Sequence, residues 1–161
     1  AEAVLPTELA SMEALRGKAV SVVVFLSPLC PCSKSHEKTF KELVKQFPSV
    51  GFIGIHANRN EPAAESRAYF AKNPLGFEVL EQPKAAWLTA LPALKTPHVF
   101  VFSGAEHTLR YQGGVDDSHT VENASKFYLK DVLEDLTAGQ NVRWIQTRVL
   151  GCAISREGEG S

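Results

Sequence analysis

The chain has no apolar run near the roughly 18 residues that a membrane-spanning helix requires, so no membrane insertion is expected. It also lacks the charged start and apolar centre of a secretory signal, while its opening Ala1, Glu2 and Ala3 suit the residues that follow signal cleavage. The expected location is therefore periplasmic or otherwise extracytoplasmic, with the cytoplasm as the alternative. Neither sign of charge dominates: 17 Lys and Arg stand against 18 Asp and Glu. That balance argues against nucleic acid or an anionic membrane surface as a partner. Three cysteines are too few for a disulfide scaffold, yet they suffice for one reactive pair and a further thiol. No internal repeat or low-complexity tract breaks the 161 residues, which have room for one domain over 1–154. The last residues, Arg-Glu-Gly-Glu-Gly-Ser, have the composition of a disordered terminus, placed at 155–161.

The strongest local signal starts at Val20. From Val20 to Leu26 every residue but Ser21 is apolar, which predicts a central strand covered on both faces. Pro28 and Pro31 delay the following helix, and Pro31 suits its first position. Cys30 is thereby expected at a helix N-terminus, where unpaired backbone N–H groups favour thiolate over thiol. Phe40, Leu43, Val44 and Phe47 then recur at helical spacing, with Lys38, Lys41, Glu42 and Lys45 on other faces. Cys30 and Cys32 in one turn point to thiol redox chemistry. A soft-metal site and a pair of inert core residues are the competing readings.

Other elements follow in order. Residues 7–16 predict a short helix closed by Gly17, and 50–57 a second buried strand, so strand–helix–strand argues for a parallel pair. The polar run 58–62 lies at the carboxyl edge of that strand, where ligands gather in open α/β sheets. A helix is expected over 62–73 with Ala64, Ala68, Phe70 and Ala71 inward, then a short strand at 77–80 and a helix from Pro83 to Leu91. Residues 98–102 and 108–112 read as an antiparallel hairpin, and a long final helix follows Ser118, with Tyr128, Leu129, Val132 and Leu136 on one stripe. The fold class is α/β with an antiparallel edge.

This order resembles the thioredoxin fold. More narrowly, the chain is similar to the redoxins of the alkyl hydroperoxide reductase/thiol-specific antioxidant group, including TlpA-like thiol–disulfide oxidoreductases. Five stretches carry the likeness: Phe-Leu-Ser-Pro-Leu-Cys-Pro at 25–31, Ile-His-Ala-Asn at 55–58, Lys-Thr-Pro-His-Val-Phe-Val at 95–101, Arg-Tyr-Gln-Gly-Gly-Val-Asp-Asp at 110–117, and Thr-Arg-Val-Leu-Gly-Cys-Ala-Ile at 147–154. The resemblance implies a central mixed sheet flanked by helices, with no cofactor. It makes Cys30 the attacking cysteine and the bond between Thr96 and Pro97 cis, with Thr96 presenting its backbone to a substrate. The partners it implies are protein or small-molecule thiols and disulfides, and peroxide if the activity is peroxiredoxin-like.

Two departures matter. Ser33 stands where a Cys-x-x-Cys motif has its second cysteine, with Cys32 one place early. The peroxiredoxin pattern Pro-x-x-x-Thr/Ser-x-x-Cys keeps Ser27 and Cys30 but has Val23 for its proline, and Arg110 is the candidate supporting arginine. For the partner of Cys30, proximity favours Cys32 despite the strain of so small a ring, and Cys152 is the second choice. The expected function is thiol–disulfide exchange at the Cys-Pro-Cys turn. The alternatives are a peroxiredoxin-like thiol peroxidase and a non-catalytic copper(I) or zinc site made by Cys30, Cys32 and His36. His98 and Lys34 are further groups within possible reach of a thiolate.

Overall fold

Six consecutive buried residues, Val20–Phe25, form β1 in the computed structural model, which describes residues 3–155. β1 pairs in parallel with β2 (Gly51–His56) and antiparallel with β5 (His98–Ser103). β3 (Val79–Glu81) adds in parallel to β2 and β6 (Thr108–Gly113) antiparallel to β5, giving the order β3-β2-β1-β5-β6. This is the expected mixed sheet with its antiparallel edge hairpin. A second, two-stranded antiparallel sheet joins β4 (Lys95–Thr96) to β7 (Cys152–Ala153).

The period of two along β1 feeds two cores. Val20, Val22 and Val24 join Phe40 and Leu43 of helix α3 (Glu37–Gln46) and Leu129 and Val132 of α6 (Tyr128–Thr137). Val23 and Phe25 pack on the other side with Leu9 of α1 (Thr7–Ala10), Ile53, Ile55 and Trp87 of α5 (Ala85–Ala90). Ser21 Oγ is buried with no hydrogen-bond partner among the described residues. That costs about 1–3 kcal/mol. Each apolar neighbour on the strand contributes about 1.5–3 kcal/mol by burial, so the strand tolerates it. No helix among the described residues is long and apolar enough to cross a membrane.

Four expectations need correction. The first helix stops at Ala10, because Ser11 Oγ turns back to the Glu8 carbonyl and i→i+3 bonds close tight turns up to Gly17. The cysteine helix is two helices, α2 (Pro31–Ser35) and α3, divided at His36, whose Nδ1 donates to the Cys32 carbonyl at 2.7 Å. In α4 (Ala63–Lys72) Ala64, Ala68 and Ala71 face solvent; Ser66 is the buried position and Phe70 is half-buried. The final helix begins only at Tyr128, since the Asp117 carboxylate accepts the N–H groups of Ser125 and Lys126 and the Ser125 hydroxyl, holding the preceding chain in a turn. These bonds pull Asp117 down to about 2. Of the expected disordered terminus, Ser155 is ordered by hydrogen bonds to Asn58 and Arg59, and the remainder lies outside the described residues.

Candidate active site

The sheet ends where the chemistry begins. Past β1, Ser27 N–H donates to Ser33 Oγ at 3.1 Å and Leu29 N–H to Ser27 Oγ at 3.2 Å, closing the loop around Pro28. Cys30 caps α2 in an extended conformation, with Pro31 in the first turn. The residue is 3% exposed, and its sulfur accepts the Ser33 N–H at 3.4 Å. α2 has only five residues, so this local N–H rather than a long dipole is what meets the sulfur. The bond between Thr96 and Pro97 is cis, as the resemblance implies, and the Thr96 carbonyl oxygen lies 3.2 Å from Cys30 Sγ.

The partner of Cys30 is Cys152. The two form a disulfide across a sequence separation of 122, and Cys32 is free and half-buried. This corrects the favoured bridge to Cys32. Cys30 is the cap and Cys32 lies inside the first turn, where side chains two apart diverge. β7, meanwhile, sets Cys152 directly opposite Thr96. Gly151 allows the approach, since a Cβ there would run into the Thr96 carbonyl. The tail is fixed on both sides of Cys152. Upstream, Gln112 N–H donates to the Ile145 carbonyl, and Arg143 pairs with Asp135 on α6. Downstream, Ile154 N–H donates to the Leu94 carbonyl and Ser155 N–H to Asn58. All three sulfurs lie within 4.8 Å of one another.

The two candidate histidines have other duties. His36 is 1% exposed, its Nε2 is 2.9 Å from the Asp116 carboxylate and its Nδ1 faces the Cys32 carbonyl. A carbonyl accepts only, so Nδ1 carries a proton and the ring is a double donor when it also gives one to Asp116. Burial would lower its pKa, but the bonds to Asp116 and Cys32 outweigh this and raise it above 6.5. The metal set Cys30, Cys32 and His36 is therefore corrected: the ring is committed, and Cys152 supplies the third atom near the two turn sulfurs. His98 is buried against Phe100 with ring centroids 4.5 Å apart, and its Nδ1 accepts the Leu94 N–H at 3.3 Å. Burial pushes it down to about 4. Lys34 lies over the Tyr69 ring, 5.5 Å from its centroid. Arg110 donates to Ser103 at the far end of β5, whereas Phe25 and His98 pair at the cysteine end.

The polar run expected at this edge supplies Asn58 and Glu61 to a cluster beside the loop whose other members, Ser27, His56, Ser66 and Glu81, sequence reasoning did not join to it. Ser27 Oγ donates to Glu61 at 2.7 Å, and His56 lies between Glu61 (3.0 Å) and Glu81 (2.7 Å). Asn58 and Ser66 donate to the remaining carboxylate oxygens. The usable signal was positional: His56 and Glu81 end neighbouring parallel strands as register partners. A groove of about 450 Å³ opens beside the tail, lined by Phe25, Leu88, Leu91, Pro92, Ile154 and Arg59.

Solved structures with this chain path exist. An uncharacterized conserved protein from Geobacillus kaustophilus is similar over 88% of this chain and 79% of its own, with a TM-score of 0.77 and 22% identity. A hypothetical protein from Sinorhizobium meliloti is similar over 88% and 82%, at 0.76 and 20%. A thioredoxin-like protein, determined in solution in its oxidized form, is similar over 78% and 82%, at 0.62 and 15%. These likenesses show a thioredoxin-like fold. A search of curated proteins finds no match. Residues 3–155 match the family described as a domain of unknown function, DUF6436, and the chain belongs to that family.

Proposed function

We propose that this DUF6436 member is a thiol–disulfide oxidoreductase whose working pair is Cys30 and Cys152. The observation that carries the reading is the disulfide itself: its buried sulfur sits on a loop cap with an N–H aimed at it, beside the carbonyl before a cis-proline. In the reduced protein, the Ser33 N–H stabilises a Cys30 thiolate, and a protonated Cys30 can donate to Thr96. The thiolate attacks a substrate disulfide, forms a mixed disulfide and expels the first substrate thiolate. Cys152 then attacks Cys30 Sγ, closing the internal bridge and releasing the second thiolate. Oxidation of a substrate dithiol is the net reverse, with the bridge of the protein reduced to two thiols. No cofactor is needed, because the two sulfurs carry both electrons.

Protein thiols or disulfides are the fitting partners, since Leu29 beside Cys30 is 68% exposed and an apolar groove flanks the tail. The oxidised state of the pair fits an oxidising compartment, in keeping with the extracytoplasmic location. The peroxidase reading gains nothing from Arg110, which lies away from the sulfurs. The test is mass mapping of the oxidised protein together with disulfide-reduction assays. Wild type should contain the linkage of Cys30 to Cys152 and turn over with a dithiol donor, and Cys30→Ser should be inactive. A Cys30→Ser variant with full turnover overturns the reading.

A further inference from the structure

The reading above leaves the third sulfur without a task, although Cys32 lies within 4.8 Å of both sulfurs of the bridge. Exposure makes this arrangement consequential. Cys30 is 3% exposed, while Cys32 and Cys152 are both half-buried. As long as the bridge stays between Cys30 and Cys152, one of its sulfurs is closed to an incoming thiol.

We propose that Cys32 is a catalytic relay thiol that exchanges with the bridge and moves it to the surface. Resting on the oxidoreductase reading, the step is internal and balanced. Cys32 gives its proton to water and its thiolate attacks Cys152 Sγ. The bond between Cys152 and Cys30 breaks as the one between Cys32 and Cys152 forms, and Cys30 departs as a thiolate. One disulfide and one thiol exist before and after, so no external oxidant or reductant is consumed. The direction of attack follows from the leaving group. Cys30 leaves toward the Ser33 N–H at 3.4 Å, which stabilises the departing thiolate. Attack on Cys30 instead would expel Cys152 and close a bridge between residues two apart in a helical turn, against disulfide geometry. The product bridge joins the two less buried cysteines, where a substrate thiol can resolve it.

The experiment uses the full oxidised chain, alkylated with iodoacetamide, quenched in acid and mapped by mass spectrometry, with turnover measured in parallel for wild type, Cys32→Ser and Cys32→Ala. The relay predicts a peptide linking Cys32 to Cys152 together with alkylated Cys30, both absent in the two variants. It also predicts that reduction of the bridge by an external thiol slows about tenfold without Cys32, because the bridge can no longer move to the less buried pair. Alkylation confined to Cys32, with unchanged turnover in both variants, overturns the relay and leaves the pairing of Cys30 with Cys152 standing. A bridge between Cys30 and Cys32 overturns the assigned direction. Detection of the linkage between Cys32 and Cys152 in a protein that cannot turn over any disulfide supports the relay while sinking the oxidoreductase reading.

Discussion

The cysteine turn and the tail that covers it are built by opposite means. Residues 26–36 are shaped by their own neighbours: two prolines, a Ser27–Ser33 closure and a cap sulfur met by an N–H three residues on. Residues 140–155 form one two-residue strand, β7, and are held by distant groups, among them Asp135, Gln112, Leu94 and Asn58. The turn thus carries a nucleophile by local chemistry, and the tail brings the second sulfur only if the rest of the molecule is folded. An active pair assembled this way couples redox chemistry to tertiary structure, unlike a pair contained in one turn.

The sharpest way to break the comparison is to remove one sulfur from each side. Cys30→Ser is expected to lose disulfide turnover completely. Cys152→Ser should lose resolution only, so that a mixed disulfide of Cys30 with substrate accumulates on non-reducing gels. If Cys152→Ser turns over like wild type, the tail has no redox part. Either change also removes the cross-link, and unfolding of the oxidised protein should cost roughly 2–4 kcal/mol less in a denaturant titration. A milder break is Gly151→Ala. Its Cβ would run into the Thr96 carbonyl, which is backbone and cannot rotate away. Overpacking of this kind costs about 1–3 kcal/mol. The expected result is a lower midpoint and a larger share of free Cys152 under mild oxidation, with the turn's helix content unchanged by circular dichroism.

The same contrast explains what was legible in the sequence. β1 and β2 are continuous apolar runs, the hairpin is two strand-like runs about a short loop, and α3 carries a helical stripe; the structure has all of them. Cys30 at a helix start could be read from Pro31, and cis-Pro97 from the resemblance. The partner of Cys30 could not be read. Residues 140–151 have no hydrophobic period, and what docks them is clearance at Gly113 and Gly151 with side-chain bonds from Asp131, Asp135 and Tyr111. Proximity along the chain favoured Cys32, whose sulfur does lie within 4.8 Å of the other two, but the bridge runs from the cap to the tail. The pairing of Asp116 with His36 was hidden for a similar reason, since nothing local connects two residues 80 positions apart.

The smallest expected effect separates the two regions by pH. His36 anchors the turn through the Cys32 carbonyl, while His98 supports the tail's dock by holding Leu94, whose carbonyl takes the Ile154 N–H. Burial opposes charge on His36, but its bonds to Asp116 and Cys32 win and its pKa lies above the ordinary 6.5. The folded state then binds the proton more tightly, so this stabilisation is full below about pH 6.5 and disappears as pH rises through the folded value. Burial lowers His98 to about 4, so its sign is reversed. Between about pH 6.5 and 4 the unfolded chain binds the proton that the folded chain refuses, and stability falls as the solution is acidified. Denaturation curves across pH should show both limbs in wild type. His36→Gln should flatten the alkaline limb alone and His98→Gln the acid limb alone. Loss of both limbs in either variant would mean that turn and tail titrate as one unit.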